Sequence, residues 1–255
     1  MIIHVFGRIF MDLFIFGEKV HNSKIVETPG GSALNASLGF SLLGMKTYLH
    51  ASYGTDHLNE TIESVIHKYN VQTQYLIQQN EPTNRFVSKN GTPLAVSVAP
   101  EPPFKLLPET AEEDYCLLFA TETNRDTLER VLTVPWKGLF IDLGPKFVHN
   151  PFVYKIDHAI IIGNEKEAQK NNCDVIKLGK NGARWHEISV PGNGKALPYT
   201  TGAGDLFDVV FIYNFLKETP PIETLEEAVH LSQKACMIPG SSTKVELLRD
   251  FYHSV

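Results

Sequence analysis

The stretch Tyr199-Thr200-Thr201-Gly202-Ala203-Gly204-Asp205 runs directly into Leu206-Phe207-Asp208-Val209-Val210-Phe211-Ile212-Tyr213-Asn214-Phe215-Leu216. A short glycine-rich turn thus opens an almost wholly apolar helix, which is expected to be buried on every side. Gly202 and Gly204 let the backbone turn sharply and let a ligand come close. The first N–H groups of a helix lack intrahelical partners and the helix dipole is positive there, so the turn reads as an anion site. Asp205 stands at its mouth. A carboxylate beside a phosphate site is suited to taking a proton from a nucleophile that attacks the phosphate. The same residues also read as a plain helix start with an acid in its first turn, and the rest of the chain has to decide between the two.

The chain has 255 residues, a net charge of −6 and 43% apolar residues, which suits one large domain, or one domain with a small appendage, and a sizeable core. The negative balance and the lack of a dense Lys/Arg run argue against nucleic-acid binding. Cys116, Cys173 and Cys236 are far apart and form no Cys-x-x-Cys pair, which points to a reducing, cytoplasmic setting. No apolar run approaches the roughly 18 residues of a membrane span. Met1 to Phe6 lacks a basic start and is expected to be a first strand rather than a leader. The ten histidines show no zinc-site spacing. No Gly-x-x-x-x-Gly-Lys-Ser/Thr loop is present, which excludes a P-loop enzyme.

In chain order, a strand over 2–6 ends at Gly7, and Asp12 follows. Short strands are expected over 13–16 and 24–27. Gly30 and Gly31 then open a helix of small residues that Gly44 closes, with Asn35 near its first turn. A strand over 46–52 and a helix over 56–69 set the rhythm of a parallel α/β sheet. Strands over 83–88 and 92–98, joined at Asn90-Gly91, break it with a hairpin. Pro100, Pro102 and Pro103 mark the return. Strands over 115–119, 138–142, 159–163 and 175–178 and a helix over 125–132 resume the alternation. After the central helix, two closing helices are expected over 224–238 and 245–252, parted by Pro239-Gly240.

These marks together resemble the ribokinase-like carbohydrate kinases of the PfkB family, from Gly7 to about Gly240. Gly30-Gly31 through Asn35 and Ser37, with Gly44 and Gly54, match the family's first signature. Thr200 to Asp205 match the heart of the second. Asn164-x-x-Glu167 is a third mark, and Lys177-Leu178-Gly179 with Gly182 a fourth. The resemblance implies a three-layer α/β/α core with a central, mostly parallel sheet, formed by a single domain over 1–255. A small β lid would come from about 13–28 and 83–98. It implies ATP and Mg²⁺ and phosphorylation of a sugar or nucleoside hydroxyl. A nucleoside kinase, or a non-catalytic binding protein on the same scaffold, remains an alternative.

The resemblance also assigns roles. Asp205 would be the general base, and Gly202, Ala203 and Gly204 would hold the transferring phosphoryl group. Asn164 and Glu167 would place Mg²⁺ partly through water. Only one of Glu165 and Glu167 can face the site, because residues two apart do not share a helix face. Lys177, Gly179, Gly182 and Thr201 would lie along the nucleotide, with Gly240 beside its base. Asp12, Gly30, Gly31 and Asn35 would bind the acceptor. Asp12 also reads as a plain loop acid, Asn35 as a helix cap and Lys177 as a solvated strand-end charge. Phe14, Phe16, Arg85 and Phe86 are lid candidates for stacking a base or binding a phosphate. Lids of this family often form dimer surfaces, which allows a homodimer here.

Three departures stand out. Tyr199 replaces the Asp that usually precedes the second signature, in a region where many members build a monovalent-cation site. Little activation by K⁺ is therefore expected. Few residues separate Ala168 from Lys177, so the nucleotide half is short. Val210 stands where the family prefers a very small residue.

Overall fold

Alternation along the core strands divides the interior in two. The computed structural model describes residues 1–102, 113–154 and 156–252; Pro103 lies outside them. The first part of the chain contains β1 (Ile2–Phe6), β2 (Phe10–Phe16), β3 (Lys24–Gly30), α1 (Ser32–Leu42), β4 (Lys46–His50), β5 (Ser52–Gly54), α2 (Asn59–Lys68), β6 (Ile77–Gln79), β7 (Asn84–Lys89) and β8 (Thr92–Ser97). Then come β9 (Tyr115–Phe119), α3 (Arg125–Leu132), β10 (Gly138–Asp142), α4 (Lys146–His149), β11 (Ala159–Asn164), α5 (Glu165–Ala168), β12 (Val175–Lys177), β13 (Gly182–Trp185) and β14 (Ile188–Pro191). The chain ends with α6 (Ala203–Leu216), α7 (Pro221–Ala235) and α8 (Glu246–Tyr252).

The main sheet has the order β14-β13-β12-β11-β10-β9-β1-β4. It is parallel from β4 to β12, and the edge pair β13–β14 runs antiparallel. Ile3, Val5, Leu117, Phe119 and Phe140 point to the face covered by α1, α6, α7 and α8. Phe6, Cys116, Leu118, Leu139 and Ile141 point to the opposite face, with Leu128 of α3 and Phe147 of α4. The period of two thus makes three layers. The apolar run after Asp205 forms α6, buried from Leu206 to Ile212 as its sequence requires. Small residues in α1 let it approach closely: a Cβ on Gly39 would lie 3.0 Å from the methyls of Val209. Val210, for its part, is fully buried.

Four strands in the order β3-β2-β7-β8 form a second, smaller sheet. Its hairpin turns at Asn90 and Gly91, both with positive φ (48° and 80°), which fits a type I′ turn. The first two of these strands are longer than expected. β2 begins at Phe10 and β3 runs to Gly30, so Asp12 is a strand residue and not a loop acid.

Other expectations shift. The strand expected over 46–52 stops at His50, and Ser52–Gly54 pairs with β6 in a separate two-stranded sheet. The first closing helix starts at Pro221, whose fixed φ suits a first helical position. The second begins as a 3₁₀ turn, Ser242–Val245, before α8.

Candidate active site

Three strands end on residues with polar side chains at the same edge of the sheet: β10 on Asp142, β11 on Asn164 and β12 on Lys177. The carboxyl ends of parallel strands are where open α/β sheets bind ligands. A groove of about 830 Å³ lies over this edge and under the small sheet. It is lined by Asp12, Gly31, Asn35, Asn164, Glu167, Lys177, Gly179, Thr201, Gly202, Gly204 and Asp205, among others. An apolar pocket of about 360 Å³ adjoins it through Lys177, Gly179, Thr200 and Gly204, and continues past Gly182, Leu197, Phe207 and Cys236.

The start of α6 sits at the junction. Gly202 is the left-handed N-cap (φ 78°), and only glycine adopts this freely. A Cβ there would also press to 3.1 Å from the backbone of Ser241. The Ala203 N–H closes a turn onto the Thr200 carbonyl at 3.1 Å. The N–H groups of Gly202, Gly204 and Asp205 have no partner among the described residues. A Cβ on Gly204 would meet only Lys177 Nζ, at 3.7 Å, so this glycine keeps space open over the lysine. The open donors are therefore those of Gly202, Gly204 and Asp205, while the Ala203 N–H expected beside them is engaged.

Asp205 is nearly buried (9% exposed), and its Oδ2 accepts from Asn35 Nδ2 at 2.7 Å. Asn35 lies in the first turn of α1 and does not cap it, since Gly31 is the N-cap. Its Oδ1 is buried without a partner among the described residues, an open acceptor at the groove wall. Asp12 is buried and accepts from Ser241 Oγ at 2.5 Å. A Cβ on Gly30 would collide with the Asp12 carboxylate and the Ser241 hydroxyl, so this glycine makes room for the pair. Burial, partly offset by the Ser241 hydrogen bond, pushes Asp12 up to about 7, and the nearby Asp205 charge adds to the rise.

Lys177 is no solvated strand end. Its Nζ bonds Asp142 Oδ1 at 2.8 Å and both oxygens of Asp208 at 3.1 Å. Burial would lower this ammonium, but the two carboxylates outweigh it and hold it above lysine's ordinary value. Burial pushes Asp142 up to about 6 against the pull of Lys177, with Glu167 and Asp205 adding to the rise. Burial and Asp142 likewise raise Asp208.

Asn164 caps the one-turn α5. Its Oδ1 accepts from the N–H groups of Lys166 and Glu167, and Glu167 accepts from the Asn164 N–H at 2.7 Å and from its amide at 2.6 Å. The Asn-x-x-Glu spacing is thus a capping box whose members also line the groove. Glu167 is buried and Glu165 exposed, as the helical spacing requires.

Not every expected residue joins the site. Gly240 lines a separate narrow cleft with Phe14, Phe16 and Tyr199, not the apolar pocket, so it is not placed beside a base bound there. Gly182 borders the pocket, yet it is a bend glycine (φ 103°) that faces the Val190 carbonyl. Phe14, Phe16 and Arg85 do not line the groove; Phe10 and Phe86 do. Reasoning from sequence missed Asp142 and Asp208, which stand in apolar runs with no motif to single them out. It also missed Glu122, which lines the groove and accepts from the Arg8 N–H at 3.1 Å.

Solved structures share this architecture. A ribokinase from Cryptococcus neoformans var. grubii serotype A, in complex with ADP, matches with a TM-score of 0.74 at 18% identity over 96% of each chain. An Arabidopsis thaliana ribokinase complexed with ribose and ATP matches at 0.71 and 18% over 95% of each. The phosphofructokinase-2 of Escherichia coli, in complex with potassium, matches at 0.68 and 13% over 98% of each. Residues 3–95 match the family model described as pfkB family carbohydrate kinase. The first third of the chain thus resembles the pfkB carbohydrate kinases, and the whole chain has the fold of the ribokinases.

No curated protein matches the chain. The family match covers α1 with Asn35 and most of the small sheet with Asp12, but stops short of Asp205. At 13–18% identity, the structural matches show a shared fold over the remainder and leave its chemistry to the residues themselves. Among the described residues, no helix is long and apolar enough to cross a membrane.

Proposed function

We propose that the protein transfers the γ-phosphoryl group of ATP to a hydroxyl of a small sugar or sugar derivative. The observation that carries this reading is the position of Asp205. Asp205 lines the groove, next in sequence to Gly204, which borders both groove and apolar pocket; its carboxylate is held by Asn35 near the open N–H groups of Gly202 and Gly204. Asp205 takes the proton of the acceptor hydroxyl as that oxygen attacks phosphorus. The N–H groups at the start of α6 receive the charge spread over the transferring oxygens. Asp12 and the free Oδ1 of Asn35 orient the acceptor's hydroxyls, while Gly31 leaves the backbone open beside them. The sheet of β2, β3, β7 and β8 covers the groove, and with the acceptor bound it excludes water that would otherwise compete for ATP.

The apolar pocket is the place for the nucleotide base and ribose, with Gly179 and Thr201 near the phosphates. The full-length fold match to ribokinases complexed with ADP, or with ribose and ATP, supports ATP as donor. Asp142 and Asp208 pair with Lys177, and the neighbouring carboxylates, Glu167 at Asp142 and Asp205 at both, raise them further, so carboxyl groups crowd this end of the groove. Hard oxygen donors and crowded carboxyl groups fit Mg²⁺. Asn164 and Glu167 would hold it, through water because both Glu167 oxygens are already engaged. When bound, the ion would neutralise charge along the ATP phosphates. Three free cysteines suit a reducing cytoplasm.

Phe10 and Phe86 on the groove wall favour a second reading, in which the acceptor is a nucleoside whose base lies against the rings. The exposed Leu94, Val96 and Val98 on and just after β8 support pairing through the small sheet. The test is ADP release from Mg·ATP over pooled sugars, sugar phosphates and nucleosides. A sugar pool that raises turnover supports the first reading and a nucleoside pool the second. ATP binding with no turnover in any pool would favour a non-catalytic binding protein.

A further inference from the structure

Lys244 is a buried lysine whose charge meets no carboxylate. It sits in the 3₁₀ turn Ser242–Val245 and is 1% exposed. Its Nζ donates to the carbonyls of Tyr199 at 2.6 Å, Ala235 at 2.8 Å and Ile238 at 3.0 Å. An ammonium has three donors, and all three go to neutral oxygens. Among the described residues it forms no ion pair.

The three carbonyls bracket the loop that makes the anion site. Ala235 ends α7, where the helix dipole is negative, and Ile238 follows in the next turn. Tyr199 opens the Thr200–Asp205 loop, and its own N–H donates to the Cys236 carbonyl at 3.0 Å. The ammonium therefore ties the root of the loop to the end of α7. A buried charge without a counter-ion is costly, and helix-end carbonyls can be satisfied by neutral donors. A cage of neutral carbonyls around a positive charge is the coordination a monovalent cation takes when it sheds its water. Burial lowers the Lys244 ammonium to about 8, while Cys236 and Asp205 pull it upward, so the charge couples to the site.

We propose that Lys244 is a tethered monovalent cation: its ammonium fills the carbonyl cage that a free K⁺ or NH₄⁺ would otherwise occupy, and so positions the Gly202–Asp205 loop. It acts through the Tyr199 carbonyl and does not touch the reacting atoms, which makes it a positioning residue. The consequence for turnover rests on the kinase reading above; the cage itself does not.

The experiment uses the full chain and Lys244→Ala at constant ionic strength in choline, Li⁺, K⁺ or NH₄⁺ chloride, reading both melting temperature and ADP release. The wild type is expected to respond alike to all four salts. Lys244→Ala is expected to lose about a hundredfold in turnover in choline, the scale for a displaced phosphoryl-holding donor. K⁺ or NH₄⁺, but not Li⁺, should restore most of that loss saturably and raise the melting temperature. Lys244→Met, whose neutral chain fills the cage, should lose turnover and gain nothing from any salt. The proposal is overturned if Lys244→Ala is as active in choline as the wild type. It is also overturned if K⁺ and NH₄⁺ change neither its melting nor its turnover, or if it fails to fold in every salt. Should the wild type show no turnover at all, the kinase reading fails separately. The K⁺-selective stabilisation of Lys244→Ala then decides the cage alone.

Discussion

Asn35 Nδ2 donates to Asp205 Oδ2 at 2.7 Å, joining the first turn of α1 to the first turn of α6 beneath the groove. One oxygen of the base is thereby fixed, and the other is left to meet an acceptor hydroxyl. Asn35→Asp would set a second carboxylate beside the first. Like charges at that distance raise one pKa strongly, so the acid limb of the pH–rate profile should move up by about one pH unit or more. An unmoved limb would mean that Asp205 is not the group titrating in the rate.

Gly30 leaves room for the Asp12–Ser241 pair, since a Cβ would collide with both side chains. Gly30→Ala should displace the carboxylate while the fold persists. The acceptor KM is expected to rise about tenfold, the scale of one misplaced hydrogen bond to a charged group, with a smaller change in kcat. Steady-state kinetics with the acceptor varied would check this, and an unchanged KM would remove Asp12 from the acceptor site.

Asp12 also makes a stability prediction. Its folded pKa is raised to about 7, above the ordinary aspartate value of 3.8, chiefly by burial. Between those values the folded state binds more protons than the unfolded one, so stability falls as pH rises through that window. Its contribution is fully present below the unfolded value and is lost by the time pH passes 7. Asp12→Asn removes the titration. The ligand-free variant should therefore melt higher relative to the wild type at pH 8 than at pH 5. A pH-independent difference between the two melting curves would contradict the burial argument.

Lys177 neutralises two buried carboxylates at once. Lys177→Met leaves Asp142 and Asp208 facing each other, and removing one member of a buried ionic cluster costs about 3–5 kcal/mol. Adding Asp208→Asn should recover part of that loss. Urea unfolding of the single and double variants measures both. A double variant no more stable than the single would mean that the two acids do not interact.

Much of this was legible because local and global signals agree. The strands over 2–6, 115–119 and 138–142 and the helix over 125–132 fall where apolar pattern and caps put them. Gly31, Asn35, Gly202, Gly204 and Asp205 carry spacings that survive in one dimension, and the fold brings them to one groove. Gly240 and the lid aromatics Phe14 and Phe16 were misplaced because their positions depend on how the small sheet settles against Tyr199. Asp142, Asp208 and Lys244 were silent for a different reason. Each has a partner 31 to 45 residues away that its role depends on, and no local pattern records such a partner. The edge strands β13 and β14 were missed because each is only four residues long, too short to establish a period.

The most direct test of the central claim is ADP release from Mg·ATP with the acceptor pools, run with the wild type and Asp205→Asn in parallel. The prediction is a sugar-dependent wild-type rate that falls about a hundredfold or more in Asp205→Asn, as loss of a general base requires. An Asp205→Asn protein that turns over at the wild-type rate would contradict the account.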